Sequence, residues 1–182
     1  MQFRLHYRGP LHANADAERK HEIRRVFHPQ LATLWDSPAL SVIRTREWVM
    51  PGGYDRWLRV RGQSRFIPLV MESAGNIAEL HITWLRPGPL GSLVNPSGDI
   101  DNRLKTLFDA LRVPTKGGEA KEADPNQLTY CLLDDDALIT DVRITTDRLL
   151  EKGVPDMHVE MIIAVSIRPG AASLPQSTYF IY

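Results

Sequence analysis

Two short acidic blocks hold the side chains best suited to chemistry. Asp99 and Asp101 stand two apart at the predicted start of a helix, and a run of three aspartates, Asp134-Asp135-Asp136, follows later in the chain. Carboxylates gathered from two chain segments can hold Mg²⁺, which takes one or two of them and completes its shell with water and phosphate oxygens. Such a centre would support hydrolysis of a phosphate ester by metal-activated water.

The same residues also have a purely structural interpretation. Asp99 could cap the helix, where the macrodipole favours negative charge, and Lys105 could pair with Asp101 and Asp109 by the i, i+4 rule. Three adjacent like charges are tolerated either in an exposed turn or around a cation that needs several oxygen ligands. The residues alone favour the solvated turn and leave the metal site open.

An amphipathic helix from about residue 101 to 111 must position the first block. Apolar residues at i, i+3, i+4 and i+7 define its buried face: Leu104, Leu107, Phe108 and Leu111. Asp101, Lys105 and Asp109 repeat every four residues and form a neighbouring polar stripe. The helix therefore presents charge beside a face that is fixed in the core.

Strands are predicted to build most of the remaining core. Alternation of apolar and polar residues, bounded by turn residues, indicates strands over 2–7, 41–50, 56–61, 66–72, 77–85, 137–145 and 157–167. In the last of these, one face would be formed by Val159, Met161, Ile163, Val165 and Ile167. Residues 114–127 lack apolar periodicity and predict a long mobile loop.

A second helical region is predicted near the N-terminus. Apolar spacing favours a helix over 16–28, interrupted by Pro29, with a further apolar face over 31–35. Its polar side carries Lys20, Arg24 and Arg25. These three could meet DNA phosphates or could simply form the solvated face of the helix.

Length and composition indicate one globular α+β domain over 1–182, in which a mixed sheet packs against a small number of helices. The chain has 182 residues, of which 43% are apolar and 24% charged. No run of about 18 apolar residues could span a bilayer, and the N-terminus does not resemble a signal peptide, so a cytoplasmic protein without a membrane partner is expected. The single Cys131 lies in an apolar stretch and is expected to be buried.

The overall charge of zero hides an uneven distribution. Residues 1–70 carry 12 Lys+Arg and 6 Asp+Glu, whereas residues 71–182 carry 10 and 16. A protein that cuts DNA could hold phosphate with the basic part and metal with the acidic part. Chance segregation on a solvated surface would give the same numbers.

Several motifs within 98–143 resemble the RusA-type Holliday junction resolvases. That family has an Asp-x-Asp-Asn start to a helix, a lysine four residues later, an Asp-Ala-Leu helix end and an Asp-Asp pair before a later strand. The matching segments here are Asp99-Ile100-Asp101-Asn102, Lys105, Asp109-Ala110-Leu111, Asp135-Asp136 and Asp141-Val142-Arg143. The resemblance covers about a quarter of the chain, so it implies a RusA-like fold and function as expectations.

The resemblance implies Mg²⁺, for which Mn²⁺ can substitute, held by Asp99, Asp101 and Asp136, with Lys105 as a catalytic positive charge. Additional residues that could take part are Asp134, Asp135, Asn102 and Asp109. It further implies cleavage of branched DNA by a homodimer, because a four-way junction has two-fold symmetry. Two alternatives are a DNA-binding relative without catalysis and a metal-dependent hydrolase of another phosphate ester.

An EF-hand calcium loop beginning at Asp99 is excluded. Such a loop needs glycine at its sixth position and glutamate at its twelfth, where Leu104 and Ala110 stand. If the resemblance holds, Asp99, Asp101 and Asp136 should converge in the fold despite their separation in the chain.

Overall fold

The computed structural model describes residues 1–47, 52–87, 100–115, 119 and 128–170. Within these residues, alternating apolar side chains form one four-stranded sheet in the order β1-β7-β4-β6. Its strands are β1 (Gln2–Pro10), β4 (Asn76–Arg86), β6 (Ile139–Arg148) and β7 (His158–Pro169). Strand β7 pairs antiparallel with β1 and β4, while β4 and β6 run parallel.

A second, three-stranded sheet has the order β2-β3-β5. It consists of β2 (Arg59–Arg61), β3 (Ser64–Val70) and β5 (Leu128–Leu133), and β3 runs antiparallel to β2 and parallel to β5. One hydrophobic core joins both sheets to the helices. The predicted α+β class is therefore confirmed, with two mixed sheets where one was expected.

The helices of the described chain are α1 (Ala17–Trp35), α2 (Pro38–Glu47), α3 (Gly53–Trp57) and α4 (Ile100–Leu111). Helix α4 matches the predicted amphipathic helix, and Leu107 and Leu111 on its apolar face are buried. The predicted common face of β7 is also confirmed, because all five of its apolar residues are buried. None of these helices is long and apolar enough to cross a membrane.

The prediction that Pro29 interrupts the N-terminal helix is wrong, since α1 continues through it to Trp35. Pro29 is exposed and has no N–H to donate to the carbonyl of Arg25, so it removes one hydrogen bond from the helix without disturbing the core. Phe27 and Leu31, on either side of the proline, are both buried. A continuous helix keeps both in the core.

The prediction of a strand over 41–50 is also wrong, because Pro38–Glu47 form α2. Pro38 occupies the first turn, where a missing N–H costs nothing. Leu40 and Ile43 lie three residues apart and are both buried, which is the spacing of a helix face. The short segment contains β-branched residues, and these suggested a strand.

Strand β5 was not predicted, and most of the expected mobile loop over 114–127 lies outside the described residues. Cys131, Leu132 and Leu133 are all buried, so this part of β5 contacts the core on both faces. A strand buried on both faces has a continuous apolar run in place of alternation. The expectation that Cys131 is buried is confirmed.

Candidate active site

The N-terminal end of α4 presents Asp101 and Lys105 to solvent, one helical turn apart. The helix is anchored beneath them by its apolar face and by Thr106, whose Oγ1 accepts a hydrogen bond of 3.2 Å from the Ala15 amide. Within the described part of the chain, neither Asp101 nor Lys105 makes an ion pair or a side-chain hydrogen bond. The expected i, i+4 pairs of Lys105 with Asp101 and Asp109 are therefore absent there.

Asp109 has a different environment at the other end of α4. Its carboxylate is buried and contacts Lys20 Nζ at 2.9 Å and Arg112 Nη2 at 2.5 Å. Burial alone would raise the pKa of Asp109, but hydrogen bonds from Lys20 and Arg112 outweigh it and leave that pKa below its ordinary value. Asp109 thus joins α1 to α4 as an ion-pair centre.

Arg24 of α1 also contacts the C-terminal end of α4. It is 2% exposed, and its Nη2 donates to the carbonyl oxygens of Asp109 at 2.9 Å and Arg112 at 3.3 Å. These carbonyls lie at the C-terminal end of α4, where helix carbonyls lack intrahelical partners. Arg24 therefore stabilises the helix end.

Neither alternative given for Lys20 and Arg24, contact with DNA phosphates or a solvated helix face, fits these contacts. Arg24 is too buried to reach a phosphate, and Lys20 is committed to the buried Asp109. Arg25, on the exposed side of α1, keeps its assignment as a prediction. The spacing of the three residues could not show that two of them turn toward α4.

Buried His21 lies beside Arg24, whose Nη1 is 3.4 Å from His21 Nδ1. Burial, followed by the charges of Arg24 and Arg25, lowers the pKa of His21 from 6.5 to about 4. From pH 6.5 down to pH 4, the unfolded chain therefore binds a proton at this site that the folded chain does not bind. Stability must fall as the pH falls through this window.

We expect the free energy of unfolding to decrease by roughly 2 to 3 kcal/mol from pH 7 to pH 4.5 because of His21. Urea denaturation of wild type and His21→Gln at both pH values measures this loss, which the variant should lack. His81→Gln, which replaces an exposed histidine, is the matched control. An identical pH dependence in wild type and His21→Gln would contradict the assignment.

The second acidic block is held by contacts within the protein. Asp134 accepts from both Nε and Nη2 of Arg59, at 2.7 Å for the shortest contact. Asp135 accepts from the Ala137 amide at 2.9 Å and caps a 3-10 turn over Asp136–Leu138. Asp136 is exposed, and its Oδ1 lies 3.7 Å from Nε of Arg112. An arginine and an exposed turn thus accommodate the triplet.

The second acidic block lies beside the C-terminal end of α4. The 3-10 turn that contains Asp136 leads into Ile139, which pairs with Ala78 at the start of β4. Burial, followed by the charge of Arg86, lowers the pKa of Arg103 in the first turns of α4. Helix α4 itself packs against α1, β5 and this 3-10 turn.

The helix rise alone separates Asp101 from Asp109 by about 12 Å along the axis of α4. Asp136 is near the Asp109 end, because it contacts the same guanidinium, that of Arg112. The convergence of Asp101 with Asp136 stays a prediction. Strand β5 meets the C-terminal end of α4, where Arg112 pairs with Leu133.

The remaining assigned residues have simple placements. Asn102 is half-buried in the first turn of α4, and its carbonyl accepts from Thr106 Oγ1 at 3.2 Å. Asp99 lies outside the described residues. Asp141 and Arg143 are neighbours on β6 and form an ion pair of 3.3 Å on the outer face of the sheet.

The donor set at the N-terminal end of α4 fits Mg²⁺ only in an open form. Among the described residues, no group of three or more His, Cys, Asp or Glu side chains is arranged to hold a metal ion. Mg²⁺ nevertheless commonly uses one or two carboxylates and fills its remaining positions with water and phosphate oxygens. The exposed Asp101, two residues from Asp99 in the sequence, satisfies that requirement.

Sequence reasoning did not identify Arg59, Arg112 or Arg24 as partners of the acidic residues. The i, i+3 spacing of Asp109 and Arg112 was a signal that could have shown their pairing. The contacts of Asp134 with Arg59 and of Arg24 with α4 join distant parts of the chain and leave no local pattern.

Comparisons with protein-family models, curated proteins and solved structures give no match to this chain.

Proposed function

We propose that this protein is a Mg²⁺-dependent endodeoxyribonuclease of the RusA type, which hydrolyses phosphodiester bonds in branched DNA. The observation that carries the proposal is the exposure of Asp101 and Lys105, one turn apart and without ion pairs in the described chain. The family motif assigns catalysis to these two residues. Other charged residues nearby, including Asp109 and Asp134, are engaged in structural contacts.

The absence of the i, i+4 pairs favours this function over the structural interpretation of the polar stripe. An intrahelical pair would have accounted for Lys105 without any ligand. Its ammonium group extends instead into solvent from a helix whose opposite face is fixed in the core. It is therefore available to an external anion such as a DNA phosphate.

In this mechanism Asp99 and Asp101 would hold the metal, with Asp136 as the third ligand that the family motif implies. When bound, Mg²⁺ would activate water and stabilise charge on the phosphate. Lys105 would hold a phosphate oxygen and oppose the negative charge that develops on it. The N-terminal end of α4 would favour the same negative charge through its macrodipole.

The proposed substrate also suggests an assembly and a location. A four-way junction has two-fold symmetry and needs two cuts, so a homodimer would present one site to each strand. Resolution of DNA branches requires access to DNA in the cytoplasm. Light scattering at micromolar protein concentration, with and without junction DNA, tests for the dimer.

The test of the function uses labelled four-way junction, flap and linear duplex DNA. We expect Mg²⁺- or Mn²⁺-dependent cleavage that prefers the four-way junction and stops when EDTA is added. Junction binding without cleavage in either metal would replace the proposal with a DNA-binding role. Hydrolysis of bis(p-nitrophenyl) phosphate without preference for DNA would indicate a general phosphodiesterase.

A further inference from the structure

The outer face of the four-stranded sheet contains a trough on the side opposite the core. Side chains that point into the core from β7, such as Val165, alternate with Ala164 and Ser166 on this outer face. The trough has a volume of about 690 Å³, and its floor over β7 is low because these two side chains are short. Residues on the flanking strands form its walls.

Strand register arranges the walls in two rows across the sheet. Arg4 lies opposite Ala164, which lies opposite His81, which in turn lies opposite Arg143. The neighbouring row is Gln2, Ser166, Glu79 and Asp141. Strands are spaced about 4.8 Å apart, so Arg4 and His81 face each other across roughly 10 Å, with only an alanine between them.

The carboxylates of the trough are already paired. Glu79 contacts Arg168 at 2.9 Å, and Asp141 contacts Arg143 at 3.3 Å. Arg4 is exposed and makes no ion pair or side-chain hydrogen bond within the described chain. The Arg4 guanidinium therefore brings to this gap a positive charge and hydrogen-bond donors that no carboxylate of the trough neutralises.

We propose that this trough binds a phosphate monoester, up to the size of a mononucleotide. The Arg4 guanidinium can donate two parallel hydrogen bonds to phosphate oxygens, a geometry that suits arginine better than lysine. The Ser166 hydroxyl and the Gln2 amide offer further donors around the same gap, beside His81, whose Nε2 lies 4.0 Å from Asp141. The volume lies within the range of small-ligand sites and exceeds what inorganic phosphate alone would fill.

The site is separate from the proposed nuclease centre. Helix α4 packs its apolar face into the core, and the trough lies on the other face of the sheet. Binding in the trough therefore does not require Asp101 or a metal ion. This separation allows the two proposals to be tested independently.

The test is a titration of ¹⁵N-labelled protein with inorganic phosphate and with a nucleoside 5′-monophosphate, at constant ionic strength. We expect saturable shifts of backbone amides around Arg4, His81 and Ser166, with tighter binding of the nucleotide. Arg4→Gln should weaken binding by about ten-fold or more, the usual effect of losing a hydrogen bond to a charged group. Asp101→Asn should bind like wild type.

The matched control is Arg8→Gln, which removes an arginine from the same face of β1, two rows away, where it pairs with Glu151. Its binding should stay within about two-fold of wild type, since an exposed charge outside the site contributes little. Ser166→Leu, which fills the floor, should abolish binding without unfolding the sheet. Unsaturable shifts, or equal weakening by Arg4→Gln and Arg8→Gln, would reduce the effect to general electrostatic attraction and overturn the site.

Discussion

Asp101→Asn is expected to lower junction cleavage by about 10²-fold or more while leaving the melting temperature nearly unchanged. The substitution removes the negative charge that would hold the metal and keeps almost the same shape. Asp101 is exposed and makes no contact that the fold requires in the described chain. Initial cleavage rates at saturating Mg²⁺, with thermal melts as the folding control, measure both quantities.

Lys105→Ala belongs to the same experiment and should also lose about 10²-fold in rate, because it removes the positive charge at the reacting phosphate. Lys152→Ala is its matched control, since Lys152 is likewise exposed but lies in a turn before β7. The control should cleave within about two-fold of wild type. Undiminished cleavage by Asp101→Asn would remove the proposed centre, and undiminished cleavage by Lys105→Ala would remove the lysine from it.

The sequence predicted those elements whose apolar periodicity is long and regular. In α4 and β7, periods of 3.6 and 2 residues persist over ten or more residues, so the buried face follows directly. In α2, two of the side chains whose burial is described, Leu40 and Ile43, lie in the core, and two residues do not distinguish a helix from a strand. The prediction that Pro29 interrupts α1 failed because proline is unfavourable in a helix locally, whereas the core packing of residues on both sides of it maintains the helix.

The candidate site was predictable only in its local part. The position of Asp101 and Lys105 on one exposed face follows from helix geometry. The position of the second acidic block depends on which end of α4 meets β5. That is a question of topology, which no local sequence pattern answers. Lys20 and Arg59, which pair with Asp109 and Asp134, come from α1 and β2, so these two ion pairs could not be derived from spacing within the segments of the aspartates.

Asp109→Ala should lower the stability of the fold far more than Asp101→Ala, although both aspartates lie on α4. Asp109 is the buried anion among Lys20, Arg112 and Arg24. Removing it leaves these cations close together, with Arg24 almost completely buried. Loss of one partner from a buried ion pair typically costs about 3–5 kcal/mol, far more than the pair contributes relative to an apolar replacement.

Urea denaturation at pH 7 should therefore show a loss of about 3–5 kcal/mol for Asp109→Ala and less than about 0.5 kcal/mol for Asp101→Ala. Asp109→Asn tests the cause, because it keeps the shape and can still accept hydrogen bonds but carries no charge. If charge compensation is what Asp109 supplies, Asn should recover only a minor part of the loss. Recovery of most of it would show that hydrogen bonding and packing, and not the buried charge, hold α1 against α4.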